Sequence, residues 1–210
     1  MGLELRNGQY GQYYGNTYNS SNILTQSQME LNATYIWNYL RNQGWTMNAV
    51  AGMLGNMQSE SAINPGRWQS DIVMPQDPTY AGYGLVQWTP YTKYTNWIVN
   101  QGFSDPSEMD ANIFRILYEV ANNLQWIPTT QYNYSFLDFT HSTDTPYNLG
   151  MAFLANYERP LDPNQPSRGT QAQQWYEFLG GVIPPLPART KKKKFPWAVM
   201  INKIRSKRLI

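Results

Sequence analysis

Apolar residues recur along most of the chain at the three-and-four spacing of an amphipathic helix. Met29, Ala33, Ile36, Trp37 and Leu40 form one stripe, started by a Ser27/Glu30 capping box and stopped at Gly44. Ala49, Val50, Met53, Leu54 and Met57 form a second behind the cap Thr46, and this helix runs on through Gln58-Ser59-Glu60-Ser61 until Asn64-Pro65-Gly66 ends it. Thr89-Pro90, Asp105-Pro106 and Thr145-Pro146 read as three further starts, a cap followed by proline at the first helical position. They lead into Tyr94, Trp97 and Ile98; Met109 to Leu124; and Leu149 to Tyr157. A last helix over 171–179 turns Trp175, Phe178 and Leu179 inward and stops at Gly180-Gly181. Residues 66–89 break the pattern with Gly, Pro and Asp, and read as a loop and short hairpin wedged between helices. The expected fold class is mainly α, an α+β arrangement of helices with a small β-hairpin.

One residue violates its pattern. At about 100° per residue, Glu60 falls about 50° from the centre of the second helix's apolar stripe, at the helix's C-terminal end. Desolvation and the negative end of the helix dipole both disfavour a charged carboxylate there. A carboxylic acid that keeps its proton near neutral pH is what glycoside cleavage requires of a general acid. The plainer alternative is a helix that ends at Met57 and leaves Glu60 in a solvated turn.

Composition narrows the chemistry. The chain has 210 residues, no Cys and a single His, His141. Thiolate zinc sites, a Cys nucleophile and any site built on two His ligands are thereby excluded, and no cofactor or metal is implied. His141, in Thr-His-Ser-Thr, reads as a surface residue. The chain contains 16 Tyr and 8 Trp but only 14% charged residues, a balance that suits sugar rings on aromatic faces and hydroxyls on amides, or equally an aromatic core under a polar surface. No apolar run approaches about 18 residues, so no transmembrane helix is expected, and Met1 to Arg6 lacks the charged-then-apolar pattern of a signal peptide.

The net charge of +2 hides a division. Nine of the sixteen basic residues follow Gly181, among them Lys191 to Lys194, and no acidic residue does. Residues 1–181 carry seven basic against fourteen acidic groups, net −7. Three zones are expected: a Tyr/Gly/Asn-rich arm over 1–24, the helical body over 25–181, and a Pro-rich linker with a basic tail over 182–210. The tail suits an anionic wall polymer, a membrane surface into which Phe195, Trp197, Val199 and Ile201 dip, an acidic partner protein, or no partner at all. Nucleic acid is not expected, because the body is acidic.

The string Gly55-Asn56-Met57-Gln58-Ser59-Glu60-Ser61-Ala62-Ile63-Asn64-Pro65 resembles the catalytic-helix motif of the goose-type lysozyme and lytic transglycosylase superfamily. Tyr83-Gly84-Leu85-Val86-Gln87-Trp88 resembles its Gly-Leu-x-Gln substrate strand. With Gly44-Trp45-Thr46, Gly52-Met53-Leu54, Thr89-Pro90 and Phe153-Leu154-Ala155-Asn156-Tyr157-Glu158-Arg159-Pro160, the ordered set over about residues 27–180 looks like the phage tail lysozyme domain. That domain is the lysozyme half of the tail-knob cell-wall hydrolase of small short-tailed phages of Gram-positive bacteria. Family members continue into a zinc endopeptidase domain; here residues 182–210 hold no His, so peptidase activity is not carried over.

The resemblance implies a lysozyme-like fold with the hairpin lining a cleft, and cleavage of β-1,4 bonds between N-acetylmuramic acid and N-acetylglucosamine in peptidoglycan. The expected place is the virion's tail tip, with virion proteins met through the arm or tail. Glu60 matches the catalytic acid. Candidates for a second carboxylate are Asp71 and Asp77, which turn chemistry explains as well, and Glu158, which an ion pair with Arg159 or another Arg explains as well. Gln58, Asn64, Tyr83, Gln87 and Trp88 are the substrate-binding candidates. In a period-2 strand Tyr83 and Gln87 would share the substrate face, leaving Trp88 to the core; Gln58 and Asn64 fit capping or turn roles equally. A lytic transglycosylase, which needs no second carboxylate, and a virion protein that binds glycan without cleaving it are the rival readings.

Overall fold

The computed structural model describes residues 2–17, 20, 22–69 and 80–182. Asp71 and Asp77, and the linker and tail from 183 onward, lie outside the described residues. The described chain runs β1 (Leu3–Gly8), β2 (Gly11–Asn16), α1 (Gln26–Asn42), α2 (Met47–Ser61), α3 (Thr92–Asn100), α4 (Met109–Asn122), α5 (Phe136–His141), α6 (Pro146–Phe153) and α7 (Ser167–Val182). It is the mainly helical α+β fold that the periodicity predicts. Among the described residues no helix is long and apolar enough to cross a membrane.

Helix α2 is the axis. Ala49 through Met57 are all buried, and α1, α6 and α7 pack around it. Two glycines permit that closeness. A Cβ on Gly52 would stand 2.8 Å from the Leu149 carbonyl carbon of α6, and one on Gly55 would stand 2.4 Å from the Arg168 carbonyl oxygen of α7. Thr46 caps α2 as its sequence predicts, accepting the Ala49 N–H at 3.1 Å. The helix continues to Ser61 and ends through left-handed Ala62 and Ile63, so Glu60 sits in its last turn and not in a frayed loop.

Other boundaries move for local reasons. The α1 capping box is Thr25/Gln28 rather than Ser27/Glu30: the Thr25 hydroxyl accepts the Gln28 N–H while Gln28 Oε1 accepts the Thr25 N–H at 2.9 Å. Helix α3 begins at Thr92, past Thr89-Pro90. Helix α4 begins at Met109, because Asp105 closes its own turn instead, accepting from the Ser107 N–H at 2.8 Å and hydroxyl at 2.6 Å. Helix α5, unsignalled by any long stripe, rests on a Ser135/Asp138 capping box and on buried Phe136 and Phe139. Helix α7 starts at Ser167 and runs through Gly180-Gly181 to Val182.

The segment read as an arm is an antiparallel hairpin, with Leu3 opposite Asn16 and Gly8 opposite Gly11, docked on the body itself. Buried Asn32 of α1 holds it: Oδ1 accepts the Tyr14 N–H and Nδ2 donates to the Tyr14 carbonyl, both at 2.7 Å, and Nδ2 also donates to the Ile63 carbonyl at 2.8 Å. Arg6 pairs with Asp105 at 3.1 Å, tying the hairpin to the turn before α4.

The hairpin expected within 66–89 is smaller than predicted. Trp68 bridges Tyr83, and Tyr83 bridges Trp88, around a turn over residues 84–87. Gly84 (φ 84°) and Gln87 (φ 50°) are both left-handed, so the backbone folds back instead of extending. The period-2 reading fails there: Tyr83 and Gln87 do not share a face.

Candidate active site

Glu60 leaves the last turn of α2 and meets Arg168 in the first turn of α7, with Nη1 2.6 Å from Oε1. The Glu60 side chain is 21% exposed and that of Arg168 only 8%. The guanidinium is braced from two sides, donating from Nε to Gln165 Oε1 at 2.7 Å and from Nη1 to Asn56 Oδ1 at 3.4 Å. The absent side chain at Gly55 is what lets the Arg168 backbone come this near. Ser61, next to Glu60, fixes the helix end to the facing turn by donating to the Leu85 carbonyl at 2.9 Å and to Met57 at 3.0 Å.

Glu158 arrives from the other side. Helix α6 widens into a π-helical turn, Leu154–Glu158, which closes through left-handed Arg159 with its N–H on the Leu154 carbonyl at 2.8 Å. Arg159 is not the ion-pair partner expected for Glu158; its Nη1 donates to the Asn156 carbonyl at 3.0 Å and to the Gln125 carbonyl. Glu158 Oε1 is shut away from solvent without a hydrogen-bond partner. Burial pushes its carboxyl well above the usual carboxylate range, the negative charge of Glu60 pushes the same way, and the Arg168 cation only partly opposes them. Two carboxyls thus face one cavity in contrasting environments, one against a cation and one with an oxygen sealed from solvent and unbonded.

The cavity is about 290 Å³. Glu60 and Glu158 line it together with Arg67, Gln69, Gln87 and Thr89. Gln87 is built in: Nε2 donates to the carbonyls of Gly84 at 2.9 Å and Arg67 at 3.1 Å, and its buried Oε1 has no partner. Of the residues expected at the site, Glu60, Gln87 and Glu158 come together here.

The others are engaged elsewhere. Tyr83 is fully buried, its ring 4.6 Å from that of Trp68. Trp88 is a core residue whose indole N–H donates to Glu119. Gln58 Oε1 accepts the Trp175 indole N–H at 2.8 Å, a link between α2 and α7. Asn64 is buried as a turn residue, accepting from the N–H groups of Gly66 at 3.0 Å and Asn16 at 3.2 Å. Exposed His141 bonds only its own helix, at the Leu137 carbonyl and Thr140 hydroxyl. Among the described residues no group of three His, Asp or Glu side chains gathers as a metal site would require.

Sequence reasoning missed Arg168 and Glu119. Neither carries a local signal. Arg168 is distant from Glu60 in sequence, and the Arg115/Glu119 spacing is that of an ordinary exposed helix pair.

A helical domain that faces two carboxyls across a polar cleft, one on the end of its central helix, is of the lysozyme-like class. The chain belongs to the phage tail lysozyme family, whose profile matches residues 31–179. It is 51% identical over 164 residues to morphogenesis protein 1 of Bacillus phage B103, an alignment covering 78% of this chain and 43% of that protein. The chain therefore spans less than half the length of that curated relative.

Proposed function

We propose that this chain is a glycosidase of the phage virion that cleaves the β-1,4 bond between N-acetylmuramic acid and N-acetylglucosamine in peptidoglycan. The observation that carries the reading is the unlike pair Glu60 and Glu158 on one cavity. Hydrolysis of a glycoside by this route needs one carboxylic acid and one carboxylate. Glu158, whose sealed oxygen and raised pKa favour the acid form, and Glu60, paired with the Arg168 cation, offer one of each.

The Glu60 charge acts directly on Glu158, so the proton is counted on the pair rather than on one residue. The motif resemblance assigns Glu60 to the glycosidic oxygen. The pair's proton passes to that oxygen as the bond from the sugar's C1 breaks. Water then forms the new bond to C1 and returns a proton to the carboxylate left behind, so the pair ends as it began. Gln87, its amide fixed to the Gly84 and Arg67 carbonyls, forms a polar wall of the cleft against which the sugar lies. Tyr83 and Trp88 pack behind this wall, while Gln58 links α2 to α7 and Asn64 holds the turn after α2. In the virion this activity would sit at the tail tip and open the wall locally for DNA delivery.

Product analysis tests this. Purified protein, Glu60→Gln and Glu158→Gln are each incubated with peptidoglycan, and released muropeptides are identified by mass spectrometry. New reducing muramic acid ends from the wild type, reduced at least about a hundredfold in both variants, are expected. Anhydro-muramyl ends would make the chain a lytic transglycosylase. Intact glycan with retained binding would make it a structural, glycan-binding virion protein.

A further inference from the structure

Behind the cleft lies a buried carboxyl, Glu119, that does not itself line it. Glu119 of α4 is fully buried, and its two carboxylate oxygens receive three donors. Arg115 Nε reaches Oε1 at 2.8 Å, the Trp88 indole N–H reaches Oε1 at 3.1 Å, and the Tyr157 hydroxyl reaches Oε2 at 2.6 Å. Arg and the indole can only donate, so Oε1 accepts from both; burial pushes the Glu119 carboxyl upward, and the Arg115 cation and the three donors oppose it by favouring the carboxylate. Arg115 is itself held, with its guanidinium 4.7 Å from the ring centre of Trp97 in α3.

The two aromatic donors are the informative ones. Trp88 lies between Gln87 and Thr89 in sequence, and Tyr157 immediately precedes Glu158; all three of those neighbours line the cleft. Glu119 therefore grips both walls, each through the residue adjoining its functional one. The end of α4 repeats the link, since Gln125 Nε2 donates to the Tyr157 carbonyl at 3.3 Å and the Gln125 carbonyl accepts from Arg159. A surface ion pair would have no reason to be sealed here, and a buried carboxylate costs more than it returns unless every lone pair is used.

We infer that Glu119 is a positioning residue for the glycosidase reaction, setting the Gln87 wall against the Glu158 wall through Trp88 and Tyr157. The inference rests on the function proposed above. A second consequence follows from charge. The groups acting on Glu158 are Glu60 from α2, Arg168 from α7, Glu119 from α4 and its own neighbour Arg159. Glu119 is one of the two negative charges among them, and it helps keep the proton on Glu158.

The test is Glu119→Gln in the full chain, with Tyr157→Phe as the milder variant that removes a single donor. At a temperature where both are folded, Glu119→Gln is expected to lower kcat on peptidoglycan at least about tenfold, more than it changes KM. It should also move the alkaline limb of the pH–rate profile to lower pH, because a negative charge beside Glu158 is gone. Tyr157→Phe should lower kcat less and leave the limb in place. A lowered melting temperature with wild-type kcat, KM and pH limb would reduce Glu119 to a structural role and overturn the inference. If Glu119→Gln does not fold, an unchanged kcat in Tyr157→Phe overturns it in the same way. Amide hydrogen exchange separates this from the function itself. The N–H groups of Trp88, on the Tyr83 carbonyl at 3.0 Å, and of Arg159, on Leu154, should exchange faster in the folded variants whether or not the wild type cleaves glycan. Unchanged exchange at both would sink the positioning role. Absence of cleavage by the wild type would instead sink the function.

Discussion

Gly55 is where a single methyl group should cost both stability and chemistry. A Cβ placed there stands 2.4 Å from the Arg168 carbonyl oxygen, 2.6 Å from the Ala172 nitrogen and 3.0 Å from the Ala172 Cα, all backbone atoms that no rotamer change can move. Ordinary contact begins at 3.4 Å, so in Gly55→Ala helix α7 must retreat from α2 by about 1 Å, the difference between 3.4 and 2.4 Å. Overpacking of this kind costs roughly 1–3 kcal/mol. Replacing a mid-helix glycine by alanine returns about 1 kcal/mol. The net loss is then up to about 2 kcal/mol, which for a chain of this size lowers the melting temperature by up to about 8 °C. The retreat carries Arg168 away from Glu60, and a displacement near 1 Å at a reacting group can cost on the order of 100-fold in rate. Gly180→Ala is the control, because its Cβ meets only the flexible end of Met47, at 3.4 Å; it should hold or gain stability by up to about 1 kcal/mol. Circular-dichroism melting and turbidity clearing of peptidoglycan read the two effects. If Gly55→Ala melts with the wild type and clears wall at full rate, α7 does not need the glycine, and the account of how Arg168 reaches Glu60 is wrong.

Glu158 gives a pH signature in stability. Its carboxyl lies above its unfolded value of 4.5 in the folded chain, so the stability it contributes is full below that pH and is lost as pH rises through the folded value; Glu158→Gln should gain melting temperature relative to wild type steadily as buffers run from acid to neutral, and a constant offset would contradict this. Arg168→Met removes the main cation opposing protonation of Glu158, so the alkaline limb of any residual activity should move to higher pH, opposite to the shift expected for Glu119→Gln. Asn32→Ala strips three hydrogen bonds from the Tyr14 and Ile63 backbone, a loss of about 1–3 kcal/mol if those groups stay dry; limited proteolysis should then cut first within residues 2–17, and a body cleaved before the hairpin would argue against Asn32 as its anchor.

What could be read from the chain were features with a period or a local partner. The stripes of α1, α2 and α4, the Thr46 and Thr145 caps and the helical reach of α2 to Glu60 depend on neighbours within a turn, and there the pattern and the fold agree. Glu60 stood out because a carboxylate on an apolar stripe is locally inconsistent, and Gln87 because its surrounding string is specific. The π-helical turn that delivers Glu158, the left-handed turn that buries Tyr83 and Trp88 while leaving Gln87 at the cleft, and the docking of residues 3–16 on Asn32 carry no such period. They are decided by which distant surfaces meet. The same holds for the charges that give the site its character. Arg168 reaches Glu60 only because Gly55 lets α7 approach, and Glu119 is a buried carboxylate only because Trp88 and Tyr157 come to it from opposite sides. Sequence by itself determined the striped helices, though not α5 or every boundary, and the position of one carboxyl. Long-range packing determined that carboxyl's partner, the second carboxyl and the desolvation that sets them apart, since burial and Coulomb interactions depend on distances in space that no local spacing encodes.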